Sequence, residues 1–366
     1  MTRLTLGVVG FLMFATSVLA QGAPGTRAAA AGRAGWEAIR AGRSQDAAAA
    51  FAEAIEAERR DPSLYLGAGL AAHLLGQTTK ARQSLEQALE LAPNYTAASL
   101  LLGEILYRGS DLDGAIRVYE AALTHAPNHE GLLKRLTEWR RESALHSRFF
   151  QSNGSHFTVL FEGPSDEQLA SRAIELLEAA YWRIGTAFYT FPEQVITVVL
   201  YTQEQFRDIT RSPDWAAAVY DGRIRVPVRG ALRRPDELER VLAHEFTHVL
   251  VRTLAPQGVP TWLNEGLAVL FENGGEQWAD RTIATASRRL PYSKLNGSFA
   301  GLGGRDARLA YAQSALAAQR LVDLAGTPAV VALLQDLAQG EPFERAFERR
   351  TLIPYSTFIE GLEAHP

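Results

Sequence analysis

Two histidines and a glutamate fall together in Val241-Leu-Ala-His-Glu-Phe-Thr-His-Val-Leu250, inside an apolar run long enough for a helix. Residues four apart stand above one another on a helix face, so the imidazoles of His244 and His248 can converge on one Zn²⁺ at about 2.0–2.1 Å. Glu245 lies beside them, placed to take a proton from a water that zinc activates and to hand it to a leaving amine. A catalytic zinc takes three protein ligands and keeps a fourth position open, and two histidines with one glutamate form a known set. Past a turn at 255–260, residues 261–272 read as an amphipathic helix with Glu265 near its start, which makes Glu265 the third ligand. Glu272, two turns on, reads as a solvent-facing carboxylate in preference to a group that orients a metal-binding histidine.

The pattern His244-Glu245-x-x-His248 followed by Trp262-Leu-Asn-Glu265-Gly-Leu-Ala268 resembles the gluzincin metallopeptidases, in particular the minimal peptidase MA-like domain, kin to thermolysin and the zinc aminopeptidases. The resemblance covers roughly the second half of the chain. It implies a thermolysin-like α+β domain over 155–366, Zn²⁺ on His244, His248 and Glu265, Glu245 as general base, and hydrolysis of a peptide or protein substrate, with endopeptidase action expected. The Gly-Ala-Met-Glu-Asn sequence that reads a free amino terminus is absent, and so is the metzincin third histidine. Peptide hydrolysis at zinc builds negative charge on the carbonyl oxygen, and a donor opposite Glu245 stabilises it. Tyr311, in its Ala-Tyr-Ala-Gln-Ser setting at the start of a helix over 308–322, resembles the tyrosine of this minimal family and is the expected donor. Packing is its alternative role, and Tyr292 and His156 are lesser candidates.

The elements around the motif alternate. An alternating strand at 156–161 precedes a long helix at about 166–190, a β-branched strand at 195–201 and a helical piece from 203. Asp221-Gly222 signals a turn into a strand at 222–228, which Pro227 marks as an edge. By resemblance this edge lines the cleft and pairs with an extended substrate. Arg223, Arg225, Arg229, Arg233 and Arg234 would then either favour acidic peptides or guard the edge against aggregation. Pro235-Asp-Glu-Leu opens the motif helix, with Asp236 and Glu237 at the positive end of its dipole. Residues 276–308, glycine-rich near 297–304, read as a connector, with a mobile cover over the cleft as the alternative.

The amino-terminal half carries a period of 34. Ala47, Ala81 and Ala115 recur at that step, as do Phe51, Leu85 and Tyr119, and Ala54, Ala88 and Ala122. Pro93 and Pro127 end repeats at the same step, Gly35, Gly69 and Gly103 recur in the first helices, and Gly42, Gly76 and Gly109 mark the internal turns. These resemble the positions of tetratricopeptide repeats, here 28–61, 62–95 and 96–129 of an all-α solenoid over 28–147. A capping helix follows at 130–147, with Leu132, Leu133, Leu136 and Trp139 inward and Lys134, Arg135, Arg140, Arg141 and Glu142 solvated. The resemblance implies a groove for a protein partner. The boundary to the second domain falls at the small polar stretch 151–155.

The chain has 366 residues, enough for about two domains, and its net charge of −4 gives no electrostatic footprint for nucleic acid. With no cysteine, every metal ligand must come from His, Asp or Glu. Residues 1–20 read as a secretory signal peptide, with small residues before Gln21, so the expected product is a secreted or periplasmic protein without stable membrane insertion. An uncleaved anchor is the alternative. The competing reading of the whole chain is a tetratricopeptide scaffold with a structural or idle metal site.

Overall fold

The computed structural model describes residues 27–163, 166–210, 219–227 and 235–364. The signal-peptide expectation at 1–20 lies outside these residues, as do Arg229, Arg233 and Arg234. The chain divides into two units, 1–145 and 146–366, each described by itself.

In the first unit the 34-residue period becomes three antiparallel helix pairs: α1 (Arg27–Arg40) with α2 (Ser44–Ala57), α3 (Pro62–Leu74) with α4 (Thr78–Leu91), and α5 (Thr96–Arg108) with α6 (Leu112–His125). The recurring alanines and Phe51, Leu85 and Tyr119 are buried. Each large residue fills the space left by the glycine sixteen positions earlier: a Cβ at Gly35 would overlap the Phe51 ring, one at Gly69 Leu85, and one at Gly103 the Tyr119 ring. This is why the first helix of every pair carries a glycine in spite of its cost to helix stability. The turns between paired helices need a left-handed residue, and Gly42 and Gly76 supply it at φ +72° and +70°. In the third repeat that residue is Ser110, at φ +67°, and not Gly109 as expected.

Helix α7 (Glu130–His146) caps the array. Leu132, Leu136 and Trp139 are buried, whereas Leu133, expected inward, is 44% exposed. Two residues expected in solvent turn inward. The Glu142 carboxylate accepts a hydrogen bond from Tyr107 Oη at 2.8 Å, and Arg135 forks onto Glu104 at 2.7 and 3.0 Å while lying 4.9 Å above the Tyr107 ring. A buried carboxylate is tolerated because it finds these donors.

The second unit holds a five-stranded mixed sheet in the order β1-β2-β3-β5-β4. Its strands are β1 (Phe150–Asn153), β2 (Phe157–Phe161), β3 (Ile196–Tyr201), β4 (Val219–Tyr220) and β5 (Ile224–Pro227). Parallel pairing of β2 with β3 requires a crossover, which α8 (Glu167–Phe188) provides with an apolar stripe from Leu169 to Phe188. Strand β1 occupies the stretch expected to be linker. It pairs antiparallel with β2, Phe150 stacks on Phe161, and Asn153 Oδ1 accepts from Thr158 Oγ1 at 3.0 Å. Helix α9 (Gln203–Thr210) falls between β3 and β4, and after the sheet come α10 (Pro235–Leu254), α11 (Thr261–Leu270), α12 (Gly275–Ala284), α13 (Gly304–Ala325), α14 (Thr327–Ala338), α15 (Phe343–Thr351) and α16 (Tyr355–Ala364). The whole chain is thus α+β, an all-α repeat array followed by a helix-rich unit with a small sheet. Among the described residues no single helix is long and apolar enough to cross a membrane.

Strand β5 is not bare along its length. The two-residue β4 pairs with Ile224 and Arg225, and only Val226 and Pro227 lack a described outer neighbour. Arg223 and Arg225 are 3% and 1% exposed. Arg225 donates to Tyr201 Oη at 2.8 Å and to Asp221 at 3.0 and 3.1 Å. Arg225 therefore ties the sheet's own edge together, and both arginines are buried and not displayed to solvent.

Candidate metal centre

Helix α10 begins at Pro235 with Asp236 and Glu237 in its first turn and ends with Arg252 in its last, the charge order that its dipole favours. Leu238, Val241, Leu242, Phe246, Val249 and Leu250 are buried in the core of the unit. The remaining stripe carries His244 and His248, both partly exposed, with Glu245 at 4% exposure beside them.

Helix α11 supplies Glu265, and its approach depends on the next residue. A Cβ on Gly266 would collide with the backbone carbonyl of Ser314 in α13. Glycine here lets α11 and α13 meet backbone to backbone, which brings Glu265 and Tyr311 to the same place.

Three atoms converge. His244 Nε2 lies 3.2 Å from His248 Nε2 and 3.5 Å from Glu265 Oε2, and His248 Nε2 lies 3.4 Å from the same oxygen. Ligand atoms about 2.0–2.1 Å from a tetrahedral zinc are separated from one another by roughly 3.3 Å. The triangle has that size.

The opposite ring nitrogens settle where the protons are. His244 Nδ1 sits 2.6 Å from Glu272 Oε1, and His248 Nδ1 sits 3.1 Å from Asn264 Oδ1. Both partners are acceptors, so each Nδ1 donates its hydrogen and a neutral ring presents a lone pair at Nε2. Two lone pairs and a carboxylate oxygen facing one another at 3.2–3.5 Å repel unless positive charge lies among them. The donor set fits a divalent cation that accepts imidazole and carboxylate.

Electrostatics agree with that requirement. Burial opposes charge on His244, but hydrogen bonds to Glu265 and Glu272 outweigh it and push the imidazole up to about 10. His248 is raised as well, with Glu265 overcoming burial. Burial likewise opposes charge on Glu265, yet the two imidazoles hold its carboxyl well below the usual carboxylate range. Without a metal the cluster draws protons, and a bound cation takes their place. Glu245 differs. Burial raises its carboxyl, the histidines offset this in part, and its Oε2 is buried with no hydrogen-bond partner among the described residues. His244, Glu245 and His248 offer ligand atoms all within 4.8 Å of one another, so Glu245 borders the cation position with one oxygen uncommitted.

A second layer of residues holds the first. Glu272, expected in solvent, is 7% exposed, because α11 is docked closely enough to α10 to carry it against His244. Its Oε2 accepts from Arg240 Nη1 at 2.9 Å, so α10 contributes both the oriented histidine and the cation that balances the orienting carboxylate. Arg183 of α8 donates through both Nη atoms at 3.1 Å to the carbonyl of Phe271, which pins the backbone next to Glu272. Asn264 and Arg240 were not anticipated. Arg240 does lie four residues before His244 on the same face, which is the one signal of its role.

The Tyr311 ring centroid is 6.2 Å from that of His244, and Phe299 packs edge-on against it at 5.3 Å. Burial, then the charges of Glu265, Glu245 and Glu272, raise its hydroxyl well above 10, so it stays protonated at neutral pH. The other two tyrosine and histidine candidates are engaged elsewhere: Tyr292 Oη donates to the Gln313 carbonyl, and His156 stacks on Tyr181 and pairs with Glu178. The connector at 276–308 packs into the unit, with Leu295 and Phe299 buried.

Residues 189–365 match the family model of the Peptidase MA superfamily, and residues 33–96 and 75–130 match the tetratricopeptide repeat model. Both halves of the resemblance read from the sequence are thereby borne out. No curated protein matches the chain significantly. Among solved structures, the first tetratricopeptide domain of Spaghetti (RPAP3) bound to the HSP90 peptide SRMEEVD is 21% identical, with a TM-score of 0.31, covering 32% of this chain and 96% of that one. The UNC-45 chaperone, described as binding and folding muscle myosin, is 13% identical, with a TM-score of 0.29, covering 89% of this chain and 32% of that one.

Proposed function

We propose, for a chain that joins tetratricopeptide repeats to a Peptidase MA superfamily domain, that it is a zinc-dependent peptidase whose repeats dock a partner or substrate protein. The observation that carries this reading is the triangle of His244 Nε2, His248 Nε2 and Glu265 Oε2 beside the uncommitted, buried Glu245. A purely structural metal site has no use for that fourth group. Zinc held by the three ligands would lower the pKa of a water to about 7 and polarise a carbonyl.

The chain's own residues supply the rest. Glu245 accepts the proton at Oε2 and, with its carboxyl raised by burial, holds it long enough to pass it to the departing amine. Tyr311, protonated at neutral pH, donates to the oxygen on which charge develops. Glu272 and Asn264 fix the tautomers of the two histidines. The signal-like residues 1–20 make export, to the periplasm or beyond, part of the same proposal.

Replacing Glu245 with Gln tests the reading. The variant should bind zinc as the wild type does and release no new amino termini from a protein substrate. Turnover at the wild-type rate would remove the general-base role.

A further inference from the structure

A pocket of about 750 Å³ opens between the end of α12 and the first turns of α13, large enough for an amino-acid side chain and its neighbours. Thr282, Thr285, Arg288, Arg305, Asp306 and Arg308 are among the residues that line it. Arg288 is already committed, since its Nη2 contacts both oxygens of Asp306 at 2.7 Å. Arg305 and Arg308 have no ion-pair or hydrogen-bond partner among the described residues. The pocket therefore presents two exposed guanidinium groups without a protein partner among the described residues and the Thr282 hydroxyl, the Thr285 hydroxyl being donated to the Arg281 carbonyl at 2.9 Å.

Its position gives this a use. Arg308 precedes Tyr311 by three residues, so the two share one face of α13 a single turn apart. A helical side chain leans toward its helix's amino terminus, so Tyr311 leans toward the turn that bears Arg308, and its ring centroid there is 6.2 Å from that of His244. One turn is about 5.4 Å, and an extended peptide advances about 3.3 Å per residue. A peptide whose reacting carbonyl lies beneath Tyr311 thus places a group about two residues away at the pocket mouth.

We infer that this pocket is a specificity subsite for a carboxylate, bound by Arg305 and Arg308 with the help of Thr282. The carboxylate comes either from an acidic side chain close to the cleaved bond or from the carboxyl terminus of the peptide. Planar guanidinium groups fit either one in the same bidentate manner. The inference rests on the peptidase reading for the peptide's direction across the site, while the binding itself does not require turnover.

The test uses the full chain carrying Glu245→Gln, so that nothing is cleaved, and three fluorescein-labelled alanine-based hexapeptides read by anisotropy. One has a central glutamate and an amidated end, one has only a free terminal carboxylate, and one has neither. At least one carboxylate form should bind tenfold or more tightly than the neutral peptide, and that form identifies the source. Combining Glu245→Gln with Arg305→Gln and Arg308→Gln should bring the ratio to about one, with zinc content as the check that the fold persists. Equal binding of all three peptides, no binding of any, or a preference that survives loss of both arginines would overturn the subsite. Failure of the peptidase reading is seen separately, as wild-type protein that binds the favoured peptide and leaves it intact.

Discussion

His244 Nδ1 and Glu272 Oε1 stand 2.6 Å apart, with Arg240 on the far oxygen of the same carboxylate. This contact decides which nitrogen of His244 faces Glu265. Outer groups that orient a ligating histidine typically contribute 10–100-fold to metal affinity. Glu272→Ala should therefore weaken zinc binding by about that factor, measured by competition with a chromogenic chelator, and Glu272→Gln, which keeps an acceptor, should weaken it less. Unchanged affinity in the alanine variant would remove the orienting role.

Tyr311→Phe separates packing from chemistry. The ring contact with Phe299 survives the change, so the fold and zinc content should be retained. Loss of a donor to a developing oxyanion costs on the order of 10²–10³ in kcat. A kcat within about twofold of wild type would assign Tyr311 to packing.

The metal-free protein should lose stability as pH rises. His244 moves from its ordinary 6.5 up to about 10, because hydrogen bonds to Glu265 and Glu272 outweigh burial. A base raised on folding stabilises fully below 6.5, and that contribution disappears as pH climbs through about 10. Burial raises Glu245 as well. Its folded form keeps a proton that the unfolded chain gives up from about 4.5 upward, so its contribution too is lost as pH rises, in a window that starts below that of His244. The melting temperature of chelator-treated protein should fall between pH 6 and 10, and His244→Ala should flatten the fall. Zinc-loaded protein, whose ligands have already shed their protons, should change less. A metal-free melting curve independent of pH in this range would contradict the proton-loaded cluster.

Much of the architecture was legible because its signals are periodic. The 34-residue step of Ala47, Ala81 and Ala115 reports helix pairs directly, and the four-residue step of His244 and His248 reports one helix face. What stayed hidden depends on how elements dock. Glu272 and Asn264 acquire their histidine partners only when α11 and the turn after it dock on α10, a long-range packing that no local pattern reports. Arg225 reads as an exposed edge charge until Tyr201 and Asp221 are seen to enclose it. Strand β1, polar and short, becomes a strand through pairing with β2, which no local pattern announces. Ser110 takes the left-handed turn because the 34-residue step puts the turn there, one residue past the available glycine.

The measurement closest to the central claim is the metal content of the purified chain after dialysis against zinc, beside the His248→Ala variant. Three acceptor atoms 3.2–3.5 Å apart predict about one zinc per wild-type chain and little in the variant. A wild-type chain that takes up no zinc would contradict the metal centre and leave the tetratricopeptide array as the working part of the protein.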